Sequence, residues 1–280
     1  MARDVFTTDI TGQMVVLGTG TSVGVPAIGC GCPVCQSDNP KNKRTRCSVV
    51  LGLPEGNLLI DTSPDLREQL LREQIGVVHA VAYTHEHVDH LYGLDDLRLM
   101  QFYLGGPLTL YCEEKVEQRV RRAFDYAFRT LPNAHRGATP KLRFERIGPV
   151  NASDPHRGGP FDVLGATVTP FRQQHGPNFQ TLGFRVGGVA YCTDVNHMPA
   201  ESKAQLQGLD VLILDALRPE RHSTHFTLEQ AVELVRELRP GRAYFTHMGH
   251  DLEHEATNAA LPNGMDLAYD GLRLPLTPGV

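Results

Sequence analysis

Thr84-His-Glu-His-Val-Asp-His90 places three histidines and an aspartate (His85, His87, Asp89 and His90) on six consecutive positions. Neutral imidazole nitrogen and carboxylate oxygen are the donors that suit Zn, Mn and Fe. The run follows the apolar segment VHAVAYT (78–84) directly, so a buried strand would deliver all four donors to one short turn. A histidine-rich surface loop is the rival reading, and the spacing after a buried strand argues against it. A second donor set lies earlier. Cys30-Gly-Cys-Pro-Val-Cys35 offers three thiolates, and a closed tetrahedral zinc needs a fourth ligand. A redox role for Cys32 and Cys35 is disfavoured, because the glycine-rich loop lacks the helix start that activates a thiolate.

The elements that must position these residues are short apolar strands between loops rich in Gly, Pro and His. MVVLG (14–18), CSVVLGL (47–53) and NLLID (57–61) read as strands, the last two joined as a hairpin through Pro54-Glu55-Gly56. Ser63-Pro64 predicts an N-cap followed by proline at the first helical position, opening DLREQLLREQ. An amphipathic helix is expected over 113–128, with Val116, Val120, Phe124 and Phe128 along one stripe. Further strands are expected at 161–171, 181–186, 189–193, 211–215 and 242–246. Thr227-Leu-Glu-Gln230 resembles a capping box that starts the helix LEQAVELVREL. The segment 131–159, rich in Pro, Gly, His and Asn, is read as a loop or excursion beside the active site. No composition shift marks a linker, so residues 1–280 are expected to form one domain of two β-rich layers with helices outside.

Bulk properties narrow the class. A formal net charge of -5 argues against a protein that wraps long nucleic acid, yet permits a small anionic substrate beside a locally positive metal site. No run approaches the roughly 18 apolar residues of a membrane span, and the polar N-terminus MARDVFTTDITGQ lacks the core of a signal peptide. Cys47, Cys112 and Cys192 lie scattered in apolar runs and read as buried thiols. A reducing cytoplasm is the expected compartment.

The HxHxDH run resembles the signature of the metallo-β-lactamase superfamily, which implies an α+β fold, a four-layer αββα sandwich with metals at one rim. The resemblance extends to His175 in QQHG, Asp194 in YCTDVN and His247 in YFTHMGH. It implies one metal on His85, His87 and His175, a second on Asp89, His90 and His247, and Asp194 bridging the two. His250, three residues after His247, can then reach a different site from the same strand end. The expectation is a structural Zn²⁺ held by Cys30, Cys32, Cys35 and His250, with 29–36 as the zinc-binding loop.

GCGCPVC, HVDHLYGLDDLR and THMGH together resemble the PhnP-type phosphodiesterases of the carbon–phosphorus lyase pathway, from about Met14 to Asp251. That resemblance implies hydrolysis of a small cyclic phosphodiester, such as a 5-phosphoribosyl 1,2-cyclic phosphate, by a hydroxide activated between two Mn²⁺ or Zn²⁺ ions. The related PqqB group shares a cysteine zinc motif but typically lacks a complete active-site ligand set. In Arg221-His-Ser-Thr-His225, family comparison favours His225 over His222 as the histidine at the scissile phosphate, beside the ligand Asp89 in the catalytic set. The alternatives are a tRNA 3′-end processing nuclease, for which the only dense basic run, KNKRTR (41–46), is short, a thiolester or lactam hydrolase, and a non-catalytic carrier or binding protein of the same fold. Whether the chain pairs as a homodimer, and which ester it cleaves, are left open.

Overall fold

The structure, a computed structural model, describes residues 5–129, 132, 135, 137–148 and 159–276. Its first sheet contains β1 (Gln13–Gly18), β2 (Ser48–Leu53), β3 (Gly56–Ile60), β4 (Ala80–Ala82), β5 (Leu108–Cys112) and β6 (Leu142–Arg146). The second contains β7 (Phe161–Val163), β8 (Ala166–His175), β9 (Phe179–Val186), β10 (Val189–Cys192), β11 (Val211–Asp215), β12 (Arg242–Thr246) and β13 (Met265–Leu267). β14 (Arg273–Pro275) returns to the edge of the first. The orders are β14-β1-β2-β3-β4-β5-β6 and β13-β12-β11-β10-β9-β8-β7. The two sheets share a plan. β14 to β3 pair antiparallel and β3 to β6 parallel, while β7 to β10 pair antiparallel and β10 to β13 parallel.

The strands are continuous apolar runs because both faces of each sheet are covered. Successive side chains point to opposite faces, so Met14 and Val16 join Ile60, Val168, Phe184 and Ile213 between the sheets. Val15 and Leu17 face the other way, into a core with Leu59, Val81 and the helices α1 (Leu66–Arg72), α2 (Val88–Leu91), α3 (Met100–Tyr103) and α4 (Glu114–Ala123). Leu212, Leu214 and Phe245 likewise bury the inner face of α6 (Leu228–Leu238). α5 (Ala200–Gln205) precedes it, and α7 (His254–Ala260) follows β12. The result is the expected αββα sandwich. No helix among the described residues is long and apolar enough to cross a membrane.

Local expectations met several corrections. α1 begins at Leu66, two residues beyond the proposed Pro64 start. Ser63 Oγ accepts from the Asp65 amide (3.2 Å) and donates to Gln69 (3.0 Å), while the Asp65 carboxylate is held by Arg46. The helix expected over 113–128 ends at Ala123, and a 3₁₀ turn, Asp125–Phe128, follows. There Phe128 stacks on Phe144 of β6 with ring centroids 5.8 Å apart, which draws the chain off the helical path. The strand expected at 161–171 is two strands, because Leu164 (φ 50°) and Gly165 (φ 76°) form the left-handed pair of a tight hairpin turn. The strand expected over 78–84 is regular only for Ala80–Ala82. The Thr227 capping box is present, with Gln230 N to Thr227 Oγ1 at 3.1 Å and Thr227 N to Gln230 Oε1 at 3.0 Å. The segment expected as a loop over 131–159 is not wholly one: Leu142–Arg146 form β6, paired parallel with β5, while residues 131, 133–134, 136 and 149–158 lie outside the described residues.

Candidate metal centre

Asp61, Asp194, Asp215 and His247 sit at or within two residues of the C-terminal ends of β3, β10, β11 and β12, His85 follows the end of β4 by three residues, and His175 closes β8. Three of them, Asp61 (φ 64°), Asp194 (φ 54°) and His247 (φ 59°), adopt left-handed backbone conformations. Side chains other than glycine rarely take that conformation, and such strain gathers where the surrounding structure enforces it. Here hydrogen bonds enforce it. Thr84 donates to Asp61 from its amide (2.8 Å) and its hydroxyl (2.7 Å). Thr193 Oγ1 donates to Asp194 at 2.7 Å. The Met248 amide, next to His247, donates to Thr19 O at 2.8 Å.

The seven residues proposed from sequence converge as two groups that could each hold a metal ion. These are His85, His87, His175 and Asp194, and then Asp89, His90, Asp194 and His247, with donor atoms within 4.8 Å of one another in each. The partition is the one the resemblance implied, and Asp194 belongs to both. Its Oδ1 lies 3.8 Å from Nε2 of both His85 and His175 and 3.5 Å from His247, while Oδ2 lies 3.1 Å from His90.

Three of the histidines have their outward-facing nitrogen already committed. His85 Nδ1 donates to Thr84 Oγ1 (2.9 Å), His90 Nδ1 to Asp61 Oδ2 (2.7 Å) and His175 Nδ1 to the Thr224 carbonyl (2.9 Å). Such bonds fix the ring and leave Nε2 as the donor to a cation. Nε2 of His85 and His90, and both ring nitrogens of His247, are buried with no hydrogen-bond partner. Buried polar atoms are rarely left so, and a divalent cation is the partner that this donor set fits.

The electrostatics of the chain alone agree. Burial pushes the pKa of His85, His87 and His175 below the ordinary histidine range, which keeps these rings neutral. Burial also opposes charge on Asp194 and Asp89, but the neighbouring histidines outweigh it and hold both carboxyls ionised. In turn the carboxylates overcome the burial of His247 and raise it to about 9. The second group therefore demands positive charge.

His225 adjoins this centre. It is buried, its Nδ1 lies 2.6 Å from Asp215 Oδ2, and its ring stacks on His247 with centroids 4.5 Å apart. His222 is exposed, and its Nδ1 accepts from Thr224 Oγ1 at 3.0 Å. Sequence reasoning missed Asp61 and Asp215. Each closes an apolar strand run, NLLID and VLILD, and a lone carboxylate at such a position was the available signal.

The cysteines also converge. His250 Nδ1 lies 3.2 Å from Cys30 Sγ, 3.6 Å from Cys32 Sγ and 3.4 Å from Cys35 Sγ. The Cys35 amide, donating to Cys32 Sγ at 3.4 Å, is the main cause that lowers Cys32 to about 7, while burial pushes Cys35 up to about 11. All six cysteines are free thiols. The buried Arg44 guanidinium donates to the carbonyls of Gly249 (2.6 Å) and Leu252 (2.5 Å), pinning the segment that carries both His247 and His250.

A β-lactamase superfamily domain is matched over residues 56–248, which include every histidine and aspartate of the two groups but neither the cysteine loop nor His250. The crystal structure of a diphosphatase from the PhnP family is 40% identical, with a TM-score of 0.85, covering 95% of this chain and 98% of that one. The chain therefore belongs to the β-lactamase superfamily and, within it, to the PhnP family. Zn²⁺-bound PqqB from Methylobacterium extorquens has the same fold at 24% identity and a TM-score of 0.73, covering 94% of this chain and all of that one. A Porphyromonas gingivalis protein named octanoyltransferase is 36% identical over 263 residues, 93% of this chain. The chain spans about half the length of that relative (51%).

Proposed function

We propose that the chain is a metal-dependent phosphodiesterase, a single hydrolase domain acting on a small cyclic phosphodiester of the 5-phosphoribosyl 1,2-cyclic phosphate kind. The observation that carries this is Asp194, one carboxylate shared by two complete donor groups. The PhnP-family diphosphatase at 40% identity supports phosphoryl chemistry over lactam or thiolester hydrolysis. Octanoyl transfer is the name of a protein about twice as long, and nothing in this site calls for it.

His85, His87 and His175 would hold one divalent ion, Asp89, His90 and His247 the other, and Asp194 both. When bound, such a pair lowers the pKa of a water and neutralises charge on phosphoryl oxygens. The mixed nitrogen and oxygen donors suit Mn²⁺ or Zn²⁺. His225 supplies the proton for the departing alkoxide from Nε2, and Asp215, 2.6 Å from Nδ1, orients the ring. Cys30, Cys32, Cys35 and His250 match a closed structural Zn²⁺ site, and free thiols suit a reducing cytoplasm.

The test is metal analysis of the purified protein together with turnover of cyclic ribose phosphodiesters, linear aryl diesters and a precursor tRNA, with Mn²⁺ or Zn²⁺ added. Turnover of the small diesters is expected. Turnover of the tRNA alone would move the assignment to an RNA-processing nuclease, and binding without any turnover would make it a carrier.

A further inference from the structure

Phe179 opens β9 and is 41% exposed, yet its ring sits on the centre. It meets His87 edge to face, with centroids 4.8 Å apart, and lies 6.1 Å from His175. A single exposed apolar side chain is ordinary, but this one is held in place. Phe179 pairs with His175 across the β8–β9 hairpin, and its carbonyl accepts from Gln174 Nε2 at 3.1 Å. Asn196 braces the turn, accepting from the Gly176 amide (2.8 Å) and donating to the Ser223 carbonyl (2.8 Å). His175 meets both Phe179, at 6.1 Å, and His225, at 4.7 Å, while no ring contact joins Phe179 to His225 among the described residues.

We propose that Phe179 is a specificity-determining platform that takes a planar aromatic ring on the ester arm that stays attached to phosphorus. The argument is geometric. His225 marks the side of the departing alkoxide, and Phe179 packs against His87 with no ring contact to His225, so the arm over Phe179 is the retained one. An aromatic face fixed at a wet rim stacks flat rings in a sequence-tolerant way. An aryl group or a nucleobase on that arm fits, whereas a methyl group gains nothing from it. This rests on the phosphodiesterase assignment for the scissile bond, though not for binding, and it extends the substrate class from ribosyl cyclic phosphates, which carry no aromatic ring, to diesters whose retained arm does.

The experiment compares bis(p-nitrophenyl) phosphate with methyl p-nitrophenyl phosphate, which share a leaving group and differ in the retained arm. In metal-loaded protein, Phe179→Ala should raise KM for the bis-aryl ester roughly tenfold, leaving the methyl ester within about twofold and kcat nearly unchanged for both. Phe179→Tyr should restore the difference. Calorimetric binding of phenyl phosphate against methyl phosphate reads the same preference without turnover, so it survives failure of the hydrolase assignment. Equal losses on both esters with reduced metal content would mean that Phe179 only supports His87, and would overturn the proposal. So would wild-type protein that binds phenyl and methyl phosphate equally.

Discussion

Asp61 Oδ2 accepts the Nδ1 proton of His90 at 2.7 Å, and the same carboxylate oxygen receives the hydroxyl of Thr84 at 2.7 Å. Thr84 in turn accepts from His85 Nδ1 at 2.9 Å. One buried carboxylate therefore sets the ring orientation of a histidine in each donor group. Asp61→Asn should weaken metal binding or activity by roughly 10–100-fold, as loss of such supporting bonds does. Metal titration of the stripped protein checks this. Unchanged affinity at both positions would show that Asp61 serves the strand end alone.

Asp194→Ala and His87→Ala should differ in kind. Asp194 contributes to both groups, so its loss should reduce metal content at both positions, while His87→Ala should impair one. Each should lower phosphodiester turnover by orders of magnitude with little change in circular dichroism. Near wild-type turnover of either variant under limiting metal would contradict the ligand assignment.

His225→Ala should keep both metals and lose turnover by about 10²–10⁴-fold on esters with poor leaving groups. The defect should shrink for p-nitrophenolate, which departs without a proton. Asp215→Asn should show the same leaving-group dependence in weaker form, since it perturbs the Nδ1 partner. A flat defect across a leaving-group series would remove the acid role, and a larger loss in His222→Ala would transfer it.

Metal loading should depend on pH. His247 in the metal-free chain is raised to about 9 by Asp194 and Asp89 despite its burial. Its folded pKa therefore exceeds the unfolded value near 6.5. The stability it contributes to the metal-free fold is fully present below about pH 6.5 and is lost as pH rises through about 9. A cation needs the neutral ring, so binding at pH 7 should release a proton and affinity should climb towards pH 9. Calorimetry in buffers of different ionisation enthalpy measures the release, and melting temperatures of stripped protein between pH 6 and 9.5 measure the first effect. No proton release at pH 7 would exclude a His247 ligand.

Cys32→Ser and His250→Ala should each lose a tightly held zinc and lower the melting temperature more than Asp194→Ala does, because closed thiolate sites contribute folding free energy. Activity should follow the folded fraction. Full zinc content with unchanged melting in both variants would rule out a three-cysteine, one-histidine site.

Much of the centre was legible because its chemistry is written in contiguous residues. His85 to His90 fall in one turn, and Cys30 to Cys35 in one loop. The strands β11 and β12 and the helix α6 were legible to the residue, since apolar runs with clear stops and a capping box leave little choice. Asp61 and Asp215 were not, because one carboxylate at a strand end looks the same whether it caps a turn or orients a histidine. The Leu164-Gly165 reversal was missed for a related reason. Leucine rarely takes a left-handed φ, and β-strand pairing around it decided the turn. The early end of α4 depended on Phe144, a partner distant in sequence from the helix that it interrupts.

His247 and His250 lie on one short segment beyond β12, held by Arg44. During synthesis from the N-terminus, the Asp89, His90 and Asp194 group and the cysteine site thus each remain one ligand short until that stretch has emerged. The cysteine loop and the His85–His90 turn are made early and must wait, open-sided, for the same few residues. Closure of the two sites is thereby tied to a single late moment. A ribosome-stalled chain ending before His247 should fill the His85, His87, His175 and Asp194 position, but hold a second ion and the cysteine-bound zinc only loosely.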